Sequence, residues 1–512
     1  MQVVVPITLG ALSIATEAMA GTDQPATDEI QGLKNQLDQL QHQLNALQSK
    51  RSSDKIMVAQ ATPASSPASP AAPAASTNTA LHAGPIALTF GGFTELATIY
   101  RDHNEVADVG SNFNGSIPFP NSPNEHMSEL RFSARQSRLS ILAQGPQDGD
   151  RSAEAYYEMD FLGAAPTANS NESNSYNMRM RHIYGVYSNK ADDFYFLAGQ
   201  NWSLATLYKK GLNLRQEQIP LTIDAQYAVG FNWTRNPQLR FVKDFNNKFA
   251  FGVSLESPQA LVFNGPNAPI ASPVIFNNAG GSLFSSTNNY TTDVAPDVIG
   301  KMAFDPGYGD YELYGMGRWF RDRAAGENDT VTGYGIGGGM ILPISKIVDI
   351  QVSGLFGNGI GRYGSAQLPD VTIKPDGHFA TISEYDILVG LNYRPTPTWT
   401  LYAYVGTEHA DNKAYSAVVG ANTFGYGYGS PLYDNTGCLI ESAASKCAAN
   451  TSAVQQANIG GWWKYYQGPL GNLQFGFHAS YTKREIFAGL GGDPDTNIKM
   501  LFLSFRYYPY QR

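Results

Sequence analysis

The stretch 129–187 alternates apolar and charged residues with a period of two, and this constrains the fold more than any other feature of the chain. Ala153, Ala155, Tyr157, Met159 and Phe161 fall on one parity, and Glu154, Tyr156, Glu158 and Asp160 on the other. Successive side chains of a strand point to opposite faces, so the segment reads as a strand with one apolar and one ionised face. The next segment carries the opposite charge: Arg179 and Arg181 share a parity with Ile183, Gly185 and Tyr187, while Met180, Tyr184 and Val186 fall with His182. Upstream, 129–143 adds Arg131, Arg135 and Arg138. A soluble sandwich buries its apolar face against a second sheet. Here the apolar faces are rich in aromatic residues, and the ionised faces set carboxylates between the arginines of both neighbours. A barrel with lipid outside and water inside uses such strands directly.

The alternation continues from about residue 86 to the end, which argues for one large domain rather than several. Hydrophobic residues make up 42% of the 512, mean hydropathy is −0.27, and no run of about 18 apolar residues follows residue 20. A helical membrane bundle is therefore excluded, whereas transmembrane strands hide from hydropathy because every second residue is polar. The 29 Tyr, 26 Phe and 51 Gly suit aromatic girdles and strand glycines. A net charge of −9 argues against nucleic acid as a partner. Cys438 and Cys447 lie close together in a polar stretch, which predicts a loop disulfide and an oxidising envelope compartment.

Residues 1–20 read as an export signal with a small-x-small cleavage site at Ala18-Met19-Ala20, although no Lys or Arg precedes the apolar run. In 21–50, Ile30, Leu37 and Leu44 fall at heptad position a and Leu33, Leu40 and Leu47 at d, a short coiled coil. It is marginal alone, so the barrel itself is expected to hold the oligomer together. Residues 51–84, rich in Ala, Pro and Ser, form an extended linker, and 85–512 form the barrel. Within the barrel, tight connections such as Asn246-Asn247, Asp305-Pro306-Gly307 and Pro395-Thr396-Pro397 alternate with long ones at 102–127, 163–177, 201–236, 257–293, 363–382 and 410–458. Tight turns at one rim and long loops at the other predict an all-β transmembrane barrel of about sixteen antiparallel strands with both ends on the periplasmic side.

The ionised faces suggest what such a barrel passes. Arginine stays ionised and offers two parallel N–H donors to a carboxylate, and charges in a narrow aqueous lumen are less screened than surface charges. Arg131, Arg135, Arg138, Arg179 and Arg181 are the expected anion ladder, with Glu154, Glu158 and Asp160 beside them. Several weak sites conduct better than one tight site. The alternative is that the arginines simply pair with these acids and stiffen the wall. Parity breaks between Ala134 and Leu139, which predicts a bulge or irregular stretch; with it Arg131, Arg135 and Arg138 can all point inward, and without it Arg138 points to lipid. Lys209, Lys210 and Arg215 lie in a long connection and could add to a constriction. No nucleophile and base cluster, and the eight histidines show no metal spacing, so neither an enzyme nor a cofactor or metal is expected. His182 and His478 read as wall residues.

The chain resembles the DcaP-like outer-membrane porins, and more broadly the sixteen-stranded trimeric porins. The likeness rests on the heptad helix and Pro/Ala linker, then on Ala134-Arg135-Gln136-Ser137-Arg138, Arg181-His182 followed by Tyr184-Gly185, and Ala198-Gly199-Gln200. It continues with Tyr393-Arg394-Pro395-Thr396-Pro397, Leu401-Tyr402-Ala403-Tyr404 and Arg506-Tyr507-Tyr508-Pro509. The resemblance implies a homotrimer with a periplasmic coiled coil, uptake of small anions such as dicarboxylates, and an inward fold of the third long loop. The expected partners are outer-membrane lipid and lipopolysaccharide and small anionic solutes. A barrel serving as an adhesin or envelope tether is the alternative function.

Overall fold

Sixteen strands hydrogen-bond in sequence order: β1 Ile86–Arg101, β2 in two pieces Glu129–Ser133 and Arg138–Gln144, β3 Arg151–Asp160, β4 Arg179–Asn189, β5 Phe194–Trp202, β6 Arg235–Phe245, β7 Phe249–Glu256 and β8 Asp297–Phe304. They continue as β9 Asp310–Ala324, β10 Glu327–Ser345, β11 Val348–Asn358, β12 Ser383–Thr396, β13 Trp399–Ala410, β14 Thr451–Gly468, β15 Gly471–Ile486 and β16 Asp495–Tyr508. All neighbours are antiparallel, and β1 pairs with both β2 and β16, so the sheet closes on itself and leaves no edge. These coordinates are a computed structural model that describes residues 80–163, 176–265, 274–280, 289–442 and 446–511. The expected export signal, the coiled coil and most of the linker lie outside the described residues. No α-helix occurs among the described residues, only a single 3-10 turn at Gly361–Tyr363.

Alternation sorts the side chains as lipid and water demand. Leu96, Leu130, Tyr157, Ile183, Phe251, Ile336, Val389 and Leu503 project outward and are exposed, whereas Glu95, Arg101, Asp160, Arg240, Arg318 and Glu408 project inward and are buried. Near the tight-turn rim the outer face carries aromatic rings, among them Tyr187, Phe241, Phe245, Tyr308, Tyr393 and Tyr465, and Trp399 stacks on Trp463 at 5.7 Å. This is an interfacial girdle around an apolar band, the surface of a transmembrane barrel.

The expected alternation of connections holds with two exceptions at the loop rim. β9 and β10 meet through the two residues 325–326, and β15 and β16 through 487–494. Strand propensity continued by paired rim residues extends β9 and β10 beyond the neighbouring wall instead of opening a loop. The expected loop 410–458 is also partly sheet, because Lys413–Val419 and Asn422–Tyr428 form a hairpin and β14 begins at Thr451. Cys438 and Cys447 are joined in a disulfide within it.

Three loops fold inward. The first, 102–128, buries Val109, Phe113 and Ile117; the third, 203–234, crosses the lumen; and 359–382 packs over it. The third loop is fastened chiefly by wall carboxylates. Glu256 accepts from the Leu204 N–H at 2.9 Å, Glu312 from Tyr208 at 2.9 Å, and Glu408 from Gly230 at 2.7 Å. Asp386 accepts from Asn232 Nδ2 at 2.7 Å, and the Lys301 ammonium donates to the Thr206 carbonyl at 2.8 Å. Gly230 has φ +83°, and a Cβ there would sit 2.0 Å from the Ile387 carbonyl oxygen, so only glycine lets the loop approach β12 this closely.

Candidate functional site

The inward loop divides the two walls by chemistry. Across β7–β13, Glu256, Glu312, Asp386 and Glu408 are consumed as acceptors for loop donors. On the side of β1–β5 and β14–β16 the loop stands off and leaves a cavity of about 510 Å³. Arg138, Arg181, Lys209, Arg215 and Arg506 line it, with Glu158 and Glu217 as its carboxylates and with Phe93, Tyr156, Trp202 and Trp462 among its rings.

Two backbone irregularities turn the arginines inward. β2 breaks between Ser133 and Arg138, and both residues face the lumen despite opposite parity, because Ser133 pairs with inward Ala97 and Arg138 with inward Phe93. The break is satisfied internally: Glu95 N donates to Ser137 Oγ at 2.9 Å, and Phe161 N to the Arg135 carbonyl at 2.9 Å. Gly92 faces it at φ +115°, where a Cβ would lie 2.1 Å from the Arg138 carbonyl oxygen. A guanidinium left on the lipid side at mid-membrane would cost about 2–4 kcal/mol. The expected bulge is present, and Arg138 borders the cavity.

The second irregularity corrects the parity expected for β4. Glu158 pairs with His182 and Met159 with Met180, so Arg181 has no ladder partner and bulges inward beside His182. Met180 consequently points outward, separated from His182, Tyr184 and Val186. The last three face the interior rather than lipid, because the inward loop offers Leu204, Tyr208 and Leu212 as an apolar surface inside the barrel.

Ion pairs hold the cations. Arg181 donates to Glu158 at 2.6 Å and to Asp160 at 2.9 Å, and Arg138 lies 3.7 Å from Glu158. Arg215 meets Glu154 at 2.6 Å, and Arg506 meets Glu95 at 3.0 Å. The side chains of Arg138 and Arg215 are 23% and 32% exposed, more than those of Glu158 and Glu154 at 12% and 15%, whereas Arg181 at 3% is less exposed than Glu158. Arg506 is also clamped between rings, 4.3 Å from Trp462 and 4.5 Å from Phe93, which orients it. Among loop groups, burial raises the Glu217 carboxyl above the usual range and so favours its neutral form. Burial also raises the Tyr227 hydroxyl, but Arg181, Arg235 and Arg138 outweigh it and bring it down to about 8.

Three of the expected ladder arginines stand apart from this cavity. Arg131 turns back on Glu129 at 2.8 Å. Arg135 pairs with Asp108 at 2.6 Å and lies 3.5 Å over the Tyr176 ring. Arg179 grips both oxygens of Asp160 at 3.0 and 2.8 Å. In each, a carboxylate captures the guanidinium, that of the first loop for Arg135 and that of the wall for Arg131 and Arg179, and none borders the cavity. Lys210 lies 3.7 Å from Asp305 of a tight turn and is likewise outside it. Arg506, Trp462, Glu217 and Tyr227 escaped the sequence reading. Arg506 was accessible to it, since it falls on the parity opposite Leu501, Leu503 and Phe505; the loop residues had no such signal.

No family model matches the chain, and no curated protein matches it. Among solved structures, the outer membrane channel DcaP of Acinetobacter baumannii superposes with a TM-score of 0.56 at 17% identity, over 82% of this chain and 97% of that one. An anion-selective porin from Comamonas acidovorans gives a TM-score of 0.45 at 9% identity over 83% and 99%, and OmpT of Vibrio cholerae gives 0.45 at 9% over 84% and 99%. The last two are too distant in shape to bear on the argument. The chain has the closed sixteen-stranded barrel fold of the DcaP outer membrane channel.

Proposed function

We propose that the protein is an outer-membrane porin, a passive water-filled channel for small hydrophilic solutes that prefers anions, dicarboxylates among them. The outward apolar band with its aromatic girdle supports a place in the outer membrane. The cavity supports the preference, and one observation carries it: the guanidiniums of Arg138 and Arg215 reach farther toward the water than the carboxylates that neutralise them. An entering carboxylate meets N–H donors first, and the balancing charge lies behind them. Low-dielectric walls keep that local field from being screened, and the paired acids keep each site weak enough to release its solute. In this reading Arg138, Arg181, Arg215 and Arg506 carry the path, Glu154, Glu158 and Asp160 position it, and Arg131, Arg135 and Arg179 brace the wall. The reading includes a homotrimer in contact with lipid and lipopolysaccharide, with the segment 21–50 as a coiled coil in the periplasm.

The reversal potential of the purified protein in a planar bilayer under a KCl gradient tests it, with Arg138→Ala and Arg215→Ala in parallel. Anion selectivity that weakens in both variants is expected. Cation selectivity would overturn the anion preference, and an absence of conductance would overturn the porin in favour of an adhesin or tether.

A further inference from the structure

At the loop rim, where β9 and β10 extend together, Asp322 and Asp329 stand directly opposite each other in the ladder. Like charges facing each other across a strand pair are destabilising, and a buried carboxylate needs hydrogen-bond donors or a cation. Asp322 is 1% exposed. Among the described residues, no Lys or Arg forms an ion pair with either carboxylate, and both meet only His378, which arrives from the 359–382 loop. Its Nδ1 lies 2.7 Å from Asp322 Oδ1 and 4.0 Å from Asp329 Oδ2.

One donor atom from each residue lies within 4.8 Å of the other two. The donors are held in place from outside the trio. The Phe379 N–H donates to the second oxygen of Asp322 at 2.8 Å, and the His378 N–H to Asp376 at 3.0 Å. Asp329, with its side chain 47% exposed, leaves a route from solvent. One imidazole nitrogen with two carboxylate oxygens is a borderline donor set suited to zinc, whereas calcium calls for more oxygens than this site offers and magnesium prefers oxygen ligands to an imidazole nitrogen.

We propose that Asp322, Asp329 and His378 form a zinc site that fastens the 359–382 loop to the β9–β10 rim. The ion takes the place of the hydrogen bond between imidazole and carboxylate and neutralises the opposed carboxylates. The site is independent of what the channel passes.

The full-length protein in detergent, stripped with a chelator and then freed of it, is titrated with zinc chloride by calorimetry and charged with cobalt(II) for its visible absorption. Asp329→Asn and His378→Ala are measured alongside, with heat-modifiable gel mobility as the check that each barrel is folded. One zinc per chain and a cobalt band are expected in the natural protein, with both lost in each variant. No zinc uptake by the natural protein would overturn the site. Uptake undiminished in both variants would overturn it by placing the zinc elsewhere. Asp329 is surface-exposed, so its variant keeps the test decisive if His378→Ala fails to fold.

Discussion

Tyr227 is a loop residue whose ionisation would change the charge beside the cavity arginines. Its hydroxyl lies 3.4 Å from Arg181 Nη2, and with a pKa of about 8 it is neutral below that pH and anionic above it. Ionisation sets a negative charge against Arg181, with Arg235 and Arg138 close by, and so, on the proposed function, removes part of the field proposed to favour anions. The anion-to-cation permeability ratio is therefore expected to fall as pH rises through about 8. The same titration on Tyr227→Phe should be flat; a step that persists there would belong to Lys209 or another group of the cavity. Residues of this kind show how far sequence reading reaches. Glu154, Glu158 and Asp160 were legible because each repeats the strand period, whereas Arg138 and Arg181 border the cavity only through the two breaks in that period. Tyr227 and Glu217 sit in a loop, where no period reports direction, and only the packed chain brings them to the arginines.

At the level of the element, the third loop narrows the lumen because wall carboxylates hold its backbone. Glu408 accepts from Gly230 at 2.7 Å and from Ala366 at 2.9 Å, which ties two loops to one side chain. Hydrogen bonds to a charged group are worth roughly 1.5–3 kcal/mol each, so Glu408→Ala is expected to cost about 3 kcal/mol and to release this end of the loop. Single-channel recordings should show larger and noisier conductance than the natural protein. Unchanged conductance would mean that the loop is held without Glu408. The two irregularities in β2 and β4 belong to the same scale. The first announced itself as a parity break between Ala134 and Leu139. The second was hidden, since 179–187 alternates without interruption and the bulge at Arg181 arises from pairing with β3.

For the whole molecule, stability depends on a lipid-facing surface that would be unacceptable in water. Val389 lies midway along β12 and is exposed on that face. Val389→Arg is expected to destabilise the barrel by about 2–4 kcal/mol, the cost of an arginine near the bilayer midplane, read as a lower denaturant midpoint for the protein refolded in vesicles. A neutral result would place Val389 at the interface or at a contact between barrels. The sequence by itself determined the barrel class and the approximate strand number, because strand alternation is local and is enforced at every second residue by lipid or water. Only the tertiary structure decided which arginines reach the cavity, that acids of the far wall anchor the inward loop, and that His378 meets Asp322 and Asp329. Those outcomes depend on bulges, loop paths and ion pairs between residues distant in sequence, where each charge takes the nearest partner that closure of the barrel brings to it.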